Sequence, residues 1–418
     1  MLASIKKLAP KWLLAALRPP YHFLLALAGA LVYRFPSKQL IVVGITGTKG
    51  KSSTAEILEN IFEAAGHKTA VLGTIKFKIG DHTERNLKKM TMPGRFFVQK
   101  FLRDAVDAGC THAIVEMTSE GAVQFRQRFI DMDALIFTNL APEHIESHGS
   151  YEKYRDAKLA IARTLARSSK KERFMVTNGD DKEAHHFLDI PHVTPVPFSL
   201  ADAESLVVDD RHATFLFHGK NVTSALGGTF NVANTVGAAT CAMQLGIALD
   251  AIVSGIDATK KIEGRMERIE AGQHFPVIVD YAHTPDSLEA IYKTFASYDT
   301  ICVLGNTGGG RDKWKRPVMG ALAEKYCGVT ILTNEDPYDE DPRHILDDMK
   351  GGMSEKQPEI ILDRRDAIAR AIALAKEKQN PAIIITGKGT DPFIMGKNGT
   401  KIAWDDRTIA MEELVKSR

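Results

Sequence analysis

The fold is decided by the stretch Leu40-Ile41-Val42-Val43-Gly44-Ile45-Thr46-Gly47-Thr48-Lys49-Gly50-Lys51-Ser52-Ser53. Its apolar start predicts a buried strand, its glycine-rich centre predicts a turn, and residues 54–65 predict a helix. Such a turn directs backbone N–H groups and a helix N-terminus at phosphate oxygens. Lys51 can neutralise the β- and γ-phosphates, and the following Ser can ligate Mg²⁺, so we predict a nucleotide-binding loop. The strict pattern has glycine where this chain has Ile45, with Gly44 one position earlier, and a turn that serves packing alone is the alternative.

Length, charge and cysteine content bound the class of protein. A chain of 418 residues predicts two or three domains. A net charge of +2 without long charged runs gives no indication of a nucleic-acid partner. The four cysteines are scattered and form no C-x-x-C, which favours a reducing cytoplasm and argues against a disulfide frame or a zinc ribbon; they are Cys110, Cys241, Cys302 and Cys327.

Residues 1–37 combine a basic start with an apolar run at residues 23–33. The run is shorter than the roughly 20 residues that span a bilayer. The pattern also fits a secretion signal, but a nucleotide-binding loop a few residues later belongs in the cytoplasm. We predict a pair of amphipathic helices packed on the next domain, and a peripheral membrane contact remains open.

The rest of the chain predicts an α/β fold in two domains. In residues 38–263, apolar runs at 40–43, 113–116, 134–138 and 174–177 alternate with helical stretches, as in a P-loop domain with a mostly parallel sheet. Residues 207–208 and 213–217 predict a small antiparallel addition. Residues 264–418 predict a Rossmann-like domain, with strands at 277–279, 301–304, 329–332 and 382–386. Its glycine-rich loop at 305–310 lacks dinucleotide spacing.

Polar residues at strand ends indicate a metal site. Glu116 follows one buried strand, His144 follows the next, and Lys158 lies in a helical run. Doubly wound sheets bind ligands at the carboxyl edge, where a Glu and a His can ligate Mg²⁺. For each residue alone, the alternative is a satisfied polar group in a turn.

Seven motifs in one order resemble the Mur ligase family from residue 38 to the C-terminus. They are G-I-T-G-T-K-G-K-S (44–52), V-E-M-T-S (115–119), T-N-L-A-P-E-H-I-E-S-H-G (138–149), Y-R-D-A-K (154–158), G-R-M-E (264–267), D-Y-A-H-T-P-D (280–286) and G-G-R-D-K-W-K-R-P (309–317). The resemblance is to the branch that adds the third amino acid to UDP-N-acetylmuramoyl-dipeptide. It implies that ATP converts a carboxylate into an acyl phosphate, which an amine then attacks.

The resemblance implies a role for each matched residue. The implied catalytic residues are Lys51, Glu116, His144 and Lys158. Those implied to bind ATP are Thr46, Gly47, Thr48, Lys49, Gly50, Lys51, Ser52, Ser53, Asn234, Arg265, Asp280 and His283. Those matched to acceptor or amino-acid contacts are Thr91, Met92, Pro93, Ser119, Gln124, Arg126, Arg311, Asp336, Tyr338, Gly387 and Asp391. Those implied to ligate Mg²⁺ are Ser52, Glu116, His144 and a carbamylated Lys158, because a bare ammonium cannot ligate a cation.

The chain departs from the family at two places. Fewer than forty residues precede the stretch 40–53 that carries the loop, where the family has a uridine-binding domain, so how the nucleotide part of the acceptor is recognised stays open. The diaminopimelate-adding members resemble D-N-P-R, but this chain reads Glu335-Asp336-Pro337-Tyr338. Tyr338 cannot pair a distal carboxylate as Arg does, and Asp336 would suit an amine-bearing side chain such as that of lysine; which amino acid is added stays open.

We therefore predict a cytoplasmic, monomeric ligase that uses ATP and Mg²⁺, with a UDP-muramoyl-peptide-like acceptor and an amino acid as partners and no nucleic acid. Two alternatives remain. One is a ligase resembling folylpolyglutamate synthetase, and the other is the nucleotide-binding subunit of a cell-wall amidotransferase. Against the second, such subunits carry a zinc-binding cysteine cluster that this chain lacks.

Overall fold

The computed structural model describes residues 11–417, with the side chains from residue 17 onward. Within this range the chain forms two compact units, each built from three segments. Unit 1 comprises the described residues up to Leu140, Glu152–Asp202 and Asn234–Ile256. Unit 2 comprises Ala141–Tyr151, Ala203–Ala233 and the residues from Asp257 onward. This division into units does not test the domain boundaries predicted before residues 38 and 264, so those boundaries stay a prediction.

Four sheets contain all the strands that are described. The first sheet holds β1 (Ile41–Thr46), β2 (Thr69–Leu72), β3 (Lys76–Ile79), β4 (His82–Arg85), β5 (His112–Glu116), β6 (Ala134–Phe137), β7 (Phe174–Asn178) and β8 (Thr194–Phe198). The second holds β9 (Glu204–Val208), β10 (Ala213–Phe217) and β11 (Lys220–Ser224). The third holds β12 (Glu267–Arg268), β13 (Val277–Asp280), β14 (Asp299–Leu304), β15 (Val329–Leu332), β16 (Glu359–Ile360) and β17 (Pro381–Thr386). The fourth pairs β18 (Phe393–Met395) with β19 (Lys401–Ala403).

The described α-helices connect these strands. The helices of the first part of the chain are α1 (Lys11–Val32), α2 (Lys51–Ala64), α3 (Arg95–Asp107), α4 (Ser119–Val123), α5 (Ile145–His148), α6 (Tyr151–Leu165), α7 (Ala184–Leu188), α8 (Thr229–Gln244) and α9 (Leu249–Ala258). Those of the second part are α10 (Pro285–Thr294), α11 (Lys315–Tyr326), α12 (Pro342–Lys350), α13 (Arg364–Lys376) and α14 (Asp406–Lys416).

The sheet of unit 1 runs β4-β3-β2-β5-β1-β6-β7-β8, and its pairs are parallel from β2 to β8. The central strand β1 pairs with both β5 and β6, so that Ile45 lies opposite Glu116 and Ile136. The carboxyl ends of these three strands therefore meet at one edge. Strands β2, β3 and β4 were not predicted: β2 and β3 are only four residues long, and β4 consists of polar residues that leave no apolar alternation to recognise.

The main sheet of unit 2 runs β12-β13-β17-β14-β15-β16, and only the β12–β13 pair is antiparallel. Strand β17 shows why both faces are covered: Ile383 and Ile385 pack into one buried cluster with residues of α13, and Ala382 and Ile384 pack into another with residues of α10 and α11. The prediction of an α/β fold with two mostly parallel sheets is confirmed, and so is that of the small antiparallel sheet β9–β11.

Helix α1 continues through Pro19 and Pro20 without a break. The predicted pair of helices in residues 1–37 falls partly outside the described residues and stays a prediction. The expectation that argued against disulfides is wrong, because the chain contains one between Cys302 in β14 and Cys327 at the end of α11. Their separation of 25 residues gives no signal in the sequence, but the β14–α11–β15 connection returns the chain beside its starting strand. Cys110 and Cys241 are buried free thiols. Among the described helices, none is long and apolar enough to cross a membrane.

Candidate active site

The phosphate loop connects β1 to α2, as predicted, with α2 beginning at Lys51 directly after Gly50. Gly50 is the N-cap in the left-handed region (φ 84°), where a side chain is strained. Gly47 also has positive φ (152°), and a Cβ built there would lie 1.9 Å from Thr138 Oγ1. Gly44, the displaced glycine of the motif, lies inside β1, where a Cβ would be 2.8 Å from Met132 Sδ. The variant spacing therefore reflects sheet packing at residue 44, whereas residues 47 and 50 shape the turn.

Residues at the end of β6 fix the loop. Thr138 Oγ1 donates to the Lys49 carbonyl (2.6 Å). Asn139 accepts from the Lys49 amide through Oδ1 (2.9 Å), and its Nδ2 donates to the Lys49 carbonyl (3.1 Å). The Thr48 hydroxyl bonds the Tyr154 hydroxyl of α6 at 3.0 Å. These contacts hold the turn in one shape before any ligand arrives, which is what precise phosphate binding requires.

Two lysines converge on the loop. Lys51 Nζ donates to the carbonyls of Gly47 (2.9 Å) and Thr48 (3.0 Å). Lys158 of α6 is buried, and its Nζ donates to the same Gly47 carbonyl at 2.8 Å. The Lys158 ammonium also lies 4.8 Å from the centre of the Tyr154 ring. Two cations at the carboxyl end of β1, beside the start of α2, form a site that favours a polyphosphate.

A carboxylate and two hydroxyls adjoin the start of α2. Glu116 is 2% exposed and accepts from Ser52 Oγ (3.1 Å), the Thr74 amide (2.8 Å) and Thr74 Oγ1 (2.8 Å). Thr74 Oγ1 in turn bonds Thr91 Oγ1 at 2.9 Å. The absence of a side chain at Gly73 makes room, because a Cβ there would lie 2.6 Å from Glu116 Oε1. The hard oxygens of Ser52 and Glu116 are of the kind that Mg²⁺ prefers.

A cationic cluster of unit 1 lies next to the Ser52–Glu116 pair. Arg126 donates to the carbonyl of Met92 and, at 2.8 Å, to Gln124 Oε1. Arg95 Nε donates to the Gln124 carbonyl at 2.7 Å, and its guanidinium contacts His22 of α1. Burial lowers the pKa of Arg126, and burial together with the Arg126 charge lowers the pKa of Arg95. Cations held close together in this way favour an anionic ligand.

The remaining predicted residues of unit 1 take the following places. Asn234 of α8 adjoins the loop, because a Cβ at Gly50 would lie 2.3 Å from its Oδ1. Thr46 ends β1 and donates from Oγ1 to the Met117 carbonyl at 3.2 Å. Ser53 is buried in the first turn of α2, and Ser119 is the first residue of α4. Pro93 lies two residues before α3. The structure thus groups the unit 1 members of the predicted set around one sheet edge.

In unit 2, the predicted nucleotide contacts cluster at the end of β13. Asp280 accepts from the amides of Met266 and Ala282, both at 2.6 Å. The Arg265 guanidinium lies 4.6 Å from the centre of the Tyr281 ring. His283 contacts the Tyr281 carbonyl through Nδ1 (2.6 Å) and Glu143 Oε1 through Nε2 (2.8 Å). Both ring nitrogens therefore face acceptors, which fixes the orientation of the imidazole.

The loop that carries Arg311 is tied to α5, the helix that His144 caps with a left-handed backbone (φ 58°). The Glu146 amide donates to Asp312 Oδ1, and the Lys313 amide donates to Glu146 Oε1, both at 3.0 Å. His144 belongs to unit 2, whereas Glu116 and Lys158 belong to unit 1, so its membership of a shared metal site stays a prediction.

The predicted amino-acid selectors surround a buried lysine. Lys388 is fully buried and donates to Asp336 Oδ1 (2.8 Å) and Asp391 Oδ2 (2.9 Å). Asp336 is therefore engaged inside the protein, which removes its negative charge as an argument for an amine-bearing substrate. Tyr338 is left-handed (φ 52°) and lies against Gly309, where a Cβ would be 2.8 Å from its ring.

Glu335, which precedes Asp336, was not among the predicted site residues. It is 3% exposed, and Oε1 accepts from Thr307 Oγ1 at 2.6 Å. Among the described residues Oε2 has no hydrogen-bond partner, and a Cβ at Gly387 would lie 2.4 Å from it. Burial raises the pKa of this carboxyl. Four further residues of the site were not predicted: Thr74, Thr138, Asn139 and Glu143. The last three lie in the quoted motif at 138–149, and the length of that motif was the signal in the sequence that could have identified them.

Comparisons with known proteins indicate the same family in both halves of the chain. Residues 45–242 match the model of the Mur ligase middle domain, and residues 264–389 match the Mur ligase, glutamate ligase domain. The UDP-N-acetylmuramoyl-L-alanyl-D-glutamate–2,6-diaminopimelate ligase of Bacillus cereus is 37% identical over 405 residues, which cover 93% of this chain and 81% of that protein. A solved structure of a ligase of the same name is 28% identical, with a TM-score of 0.60 over 90% of this chain and 78% of that one. Folylpolyglutamate synthase of Mycobacterium tuberculosis shares the fold, with a TM-score of 0.70 at 15% identity over 94% of this chain and 95% of that one.

Proposed function

The chain belongs to the Mur ligase family and is an ATP-dependent ligase, and we propose that it joins an amino acid to a UDP-N-acetylmuramoyl-dipeptide acceptor in peptidoglycan precursor synthesis. The single observation that carries the site assignment is the convergence of Lys51 and Lys158 on the Gly47 carbonyl, beside the Ser52–Glu116 pair. Cations, hydroxyls and a carboxylate at one helix N-terminus suit a nucleoside triphosphate with its counter-ion.

The proposed reaction needs charge stabilisation more than a proton acceptor. The acceptor carboxylate attacks the γ-phosphorus of ATP, and ADP leaves. The amino group of the incoming amino acid then attacks the acyl phosphate carbonyl, and phosphate leaves as the amide forms. Lys51 would neutralise the β- and γ-phosphates, and the fixed loop amides would orient them. Asn234, beside the loop, would contact the adenine.

Mg²⁺ fits the oxygen donors of Ser52 and Glu116, which already lie 3.1 Å apart. When bound, it would neutralise phosphate charge and orient the transferred group. Glu116→Gln tests this assignment apart from turnover. We expect about a 10- to 100-fold rise in the Mg²⁺ concentration that supports ATP binding in calorimetry. An unchanged Mg²⁺ requirement would remove Glu116 from the metal site.

Lys158 has two states in this proposal. As an ammonium it adds a second cation at Gly47. As a carbamate it would offer oxygen ligands to the metal, in addition to those of Ser52 and Glu116. The mass of the intact protein, measured with and without bicarbonate, distinguishes the two states, because carbamylation adds the mass of CO₂.

We assign the anionic groups of the acceptor to the cationic cluster of unit 1. Arg126 and Arg95 provide two guanidiniums held together by Gln124. Guanidiniums bind carboxylates and phosphates in bidentate geometry, so either acceptor group suits them. Two neighbouring residues connect this cluster to Glu116. Met92 accepts from Arg126 through its carbonyl, and Thr91 bonds Thr74, which donates to Glu116. The cluster would thus hold an acceptor next to the proposed triphosphate site within a single unit.

For the amino acid we propose lysine in preference to diaminopimelate, which the names of the relatives give. Tyr338 offers no cation for the second carboxylate of diaminopimelate. Because Asp336 is already paired with Lys388, the group that could accept a hydrogen bond from an amine is Glu335, whose Oε2 has no described partner. We place the reaction in the cytoplasm, where ATP and the acceptor are found, and propose a monomer; both sulfurs of the disulfide are buried, which shields them from cytoplasmic thiols.

One assay tests both proposals. The purified chain is given ATP, Mg²⁺, UDP-N-acetylmuramoyl-dipeptide and each amino acid in turn, and ADP release and product mass are measured. We expect ligation, with kcat/KM for lysine above that for diaminopimelate. A large excess in favour of diaminopimelate would overturn the choice of lysine alone. Turnover only with a folate acceptor, or only in the presence of a partner protein, would overturn the muramoyl assignment.

A further inference from the structure

Helix α1 has two faces of opposite character. One face is built from small residues and is buried against α3: Ala26 and Ala30 are at most 2% exposed, and the position of a Cβ at Gly29 lies 3.5 Å from the Phe96 Cα. Arg103 of α3 donates to the carbonyls of Tyr33 (3.1 Å) and Arg34 (3.4 Å), just beyond the end of α1. The helix is therefore docked firmly on unit 1 through one side.

The opposite face is apolar and points to solvent. Its large side chains are between 54% and 62% exposed; they are Leu17, Tyr21, Leu24, Leu31 and Val32. The spacing 17–21–24–31, with Ala28 between the last two, repeats every three or four residues and forms one stripe on a helix. Phe23 is also exposed, so six of the sixteen exposed large apolar side chains in the described part of the chain lie on this helix. A patch of this kind marks an interaction site.

The charged residues of the segment that carries the stripe are all positive. Residues 1–55 contain no Asp or Glu, and Glu56 is the first acidic residue of the chain. The basic residues of this segment are Lys6, Lys7 and Lys11 before the stripe, Arg18 within its first turn, and Arg34 and Lys38 after it. An apolar stripe bordered by cations complements a surface that has anionic groups above a hydrocarbon layer.

We propose that α1 lies flat on an anionic phospholipid bilayer and attaches the enzyme to the membrane surface. The stripe enters the boundary between head groups and acyl chains, and the flanking Lys and Arg residues bind anionic head groups. A second copy of this chain is the less suitable occupant, because pairing two stripes would bring two basic segments together without any acidic residue to balance them. Tyr21, with its apolar ring and polar hydroxyl, suits the interface itself.

The test is flotation of the full chain with vesicles of phosphatidylcholine containing about 30% phosphatidylglycerol, compared with phosphatidylcholine alone. We expect binding to the anionic vesicles that weakens as salt is added. The double variant Leu24→Glu with Leu31→Glu should lower the partition coefficient roughly tenfold or more. The matched control is Val207→Glu with Val415→Glu, which places the same two charges on apolar residues that are 68% and 52% exposed elsewhere; it should stay within about twofold of the unsubstituted chain.

Three outcomes would overturn the proposal. The unsubstituted chain fails to float with anionic vesicles, or the control variant loses binding as much as the stripe variant does. In the third, size-exclusion chromatography shows a dimer that the stripe variant dissociates, while vesicles bind neither form. ATP-dependent ligation in solution should be unchanged in both variants, which confirms that they fold and separates this proposal from the proposed function.

Discussion

Two glycine-rich turns follow parallel strands in this molecule, and they differ in the charges around them. The turn after β1 leads straight into α2, and two lysine ammoniums converge on its Gly47 carbonyl. The turn after β14, residues 305–310, is followed by α11 only at Lys315, and it packs against buried carboxylates: Thr307 donates to Glu335, and the Gly308 amide bonds the Asp336 carbonyl. Glycines shape both turns, but two ammoniums lie at the first, whereas at the second Lys388 neutralises Asp336 and Glu335 Oε2 has no described partner.

Removing the cation from the first turn should have the greatest effect on activity. Lys51→Met should lower kcat for ADP release by about 10³-fold, because a fixed positive charge at the transferred phosphate is lost. Arg311→Met, at the end of the second turn, is the counterpart. It should raise KM for the amino acid and leave KM for ATP unchanged, as measured by initial rates with each substrate varied. Equal losses in KM for ATP would mean that both turns serve the nucleotide.

A matched pair of glycines tests whether shape or charge limits each turn. Gly47→Ala forces a Cβ to within 1.9 Å of Thr138 Oγ1, so we expect a loss of about 3 kcal/mol in the unfolding free energy of unit 1. Gly310 has φ 75° and open space around it, so Gly310→Ala should cost unit 2 only the left-handed strain, about 1 kcal/mol. Urea unfolding followed by circular dichroism measures both. A Gly47→Ala variant as stable as Gly310→Ala would show that the first turn is not held rigidly by β6.

The sequence predicted the first turn better than the second, and for a physical reason. Glu116 ends β5, and Lys51 and Ser52 begin the helix that follows β1, so apolar runs and local spacing already define the sheet edge that they share. Asp336 was predicted to contact substrate from its place in the motif at 335–338 and from its charge, but a partner 52 residues away, Lys388, neutralises it. Pairs of this kind, like the Cys302–Cys327 disulfide, depend on tertiary packing, which no local pattern encodes.

The smallest expected effect concerns Glu335, the acidic group at the second turn. Burial raises the pKa of this carboxyl, so the folded state holds its proton more tightly than the unfolded state does. The resulting stabilisation is fully present below the ordinary pKa of 4.5 and is lost as pH rises through the raised value. The loss amounts to about 1.4 kcal/mol for each unit by which the pKa is raised.

Glu335→Gln removes this titration, because the amide stays neutral at every pH. The unfolding free energy of unit 2, measured in urea at several values from pH 5 upward, should therefore fall less steeply in this variant than in the unsubstituted chain. Glu270→Gln, at an exposed position, is the control and should leave the slope unchanged. If Glu335→Gln kept the slope of the unsubstituted chain, the carboxyl would be ionised in the folded protein. The second turn would then carry a full negative charge ready for an amine, and the contrast with the first turn would be larger than the structure indicates.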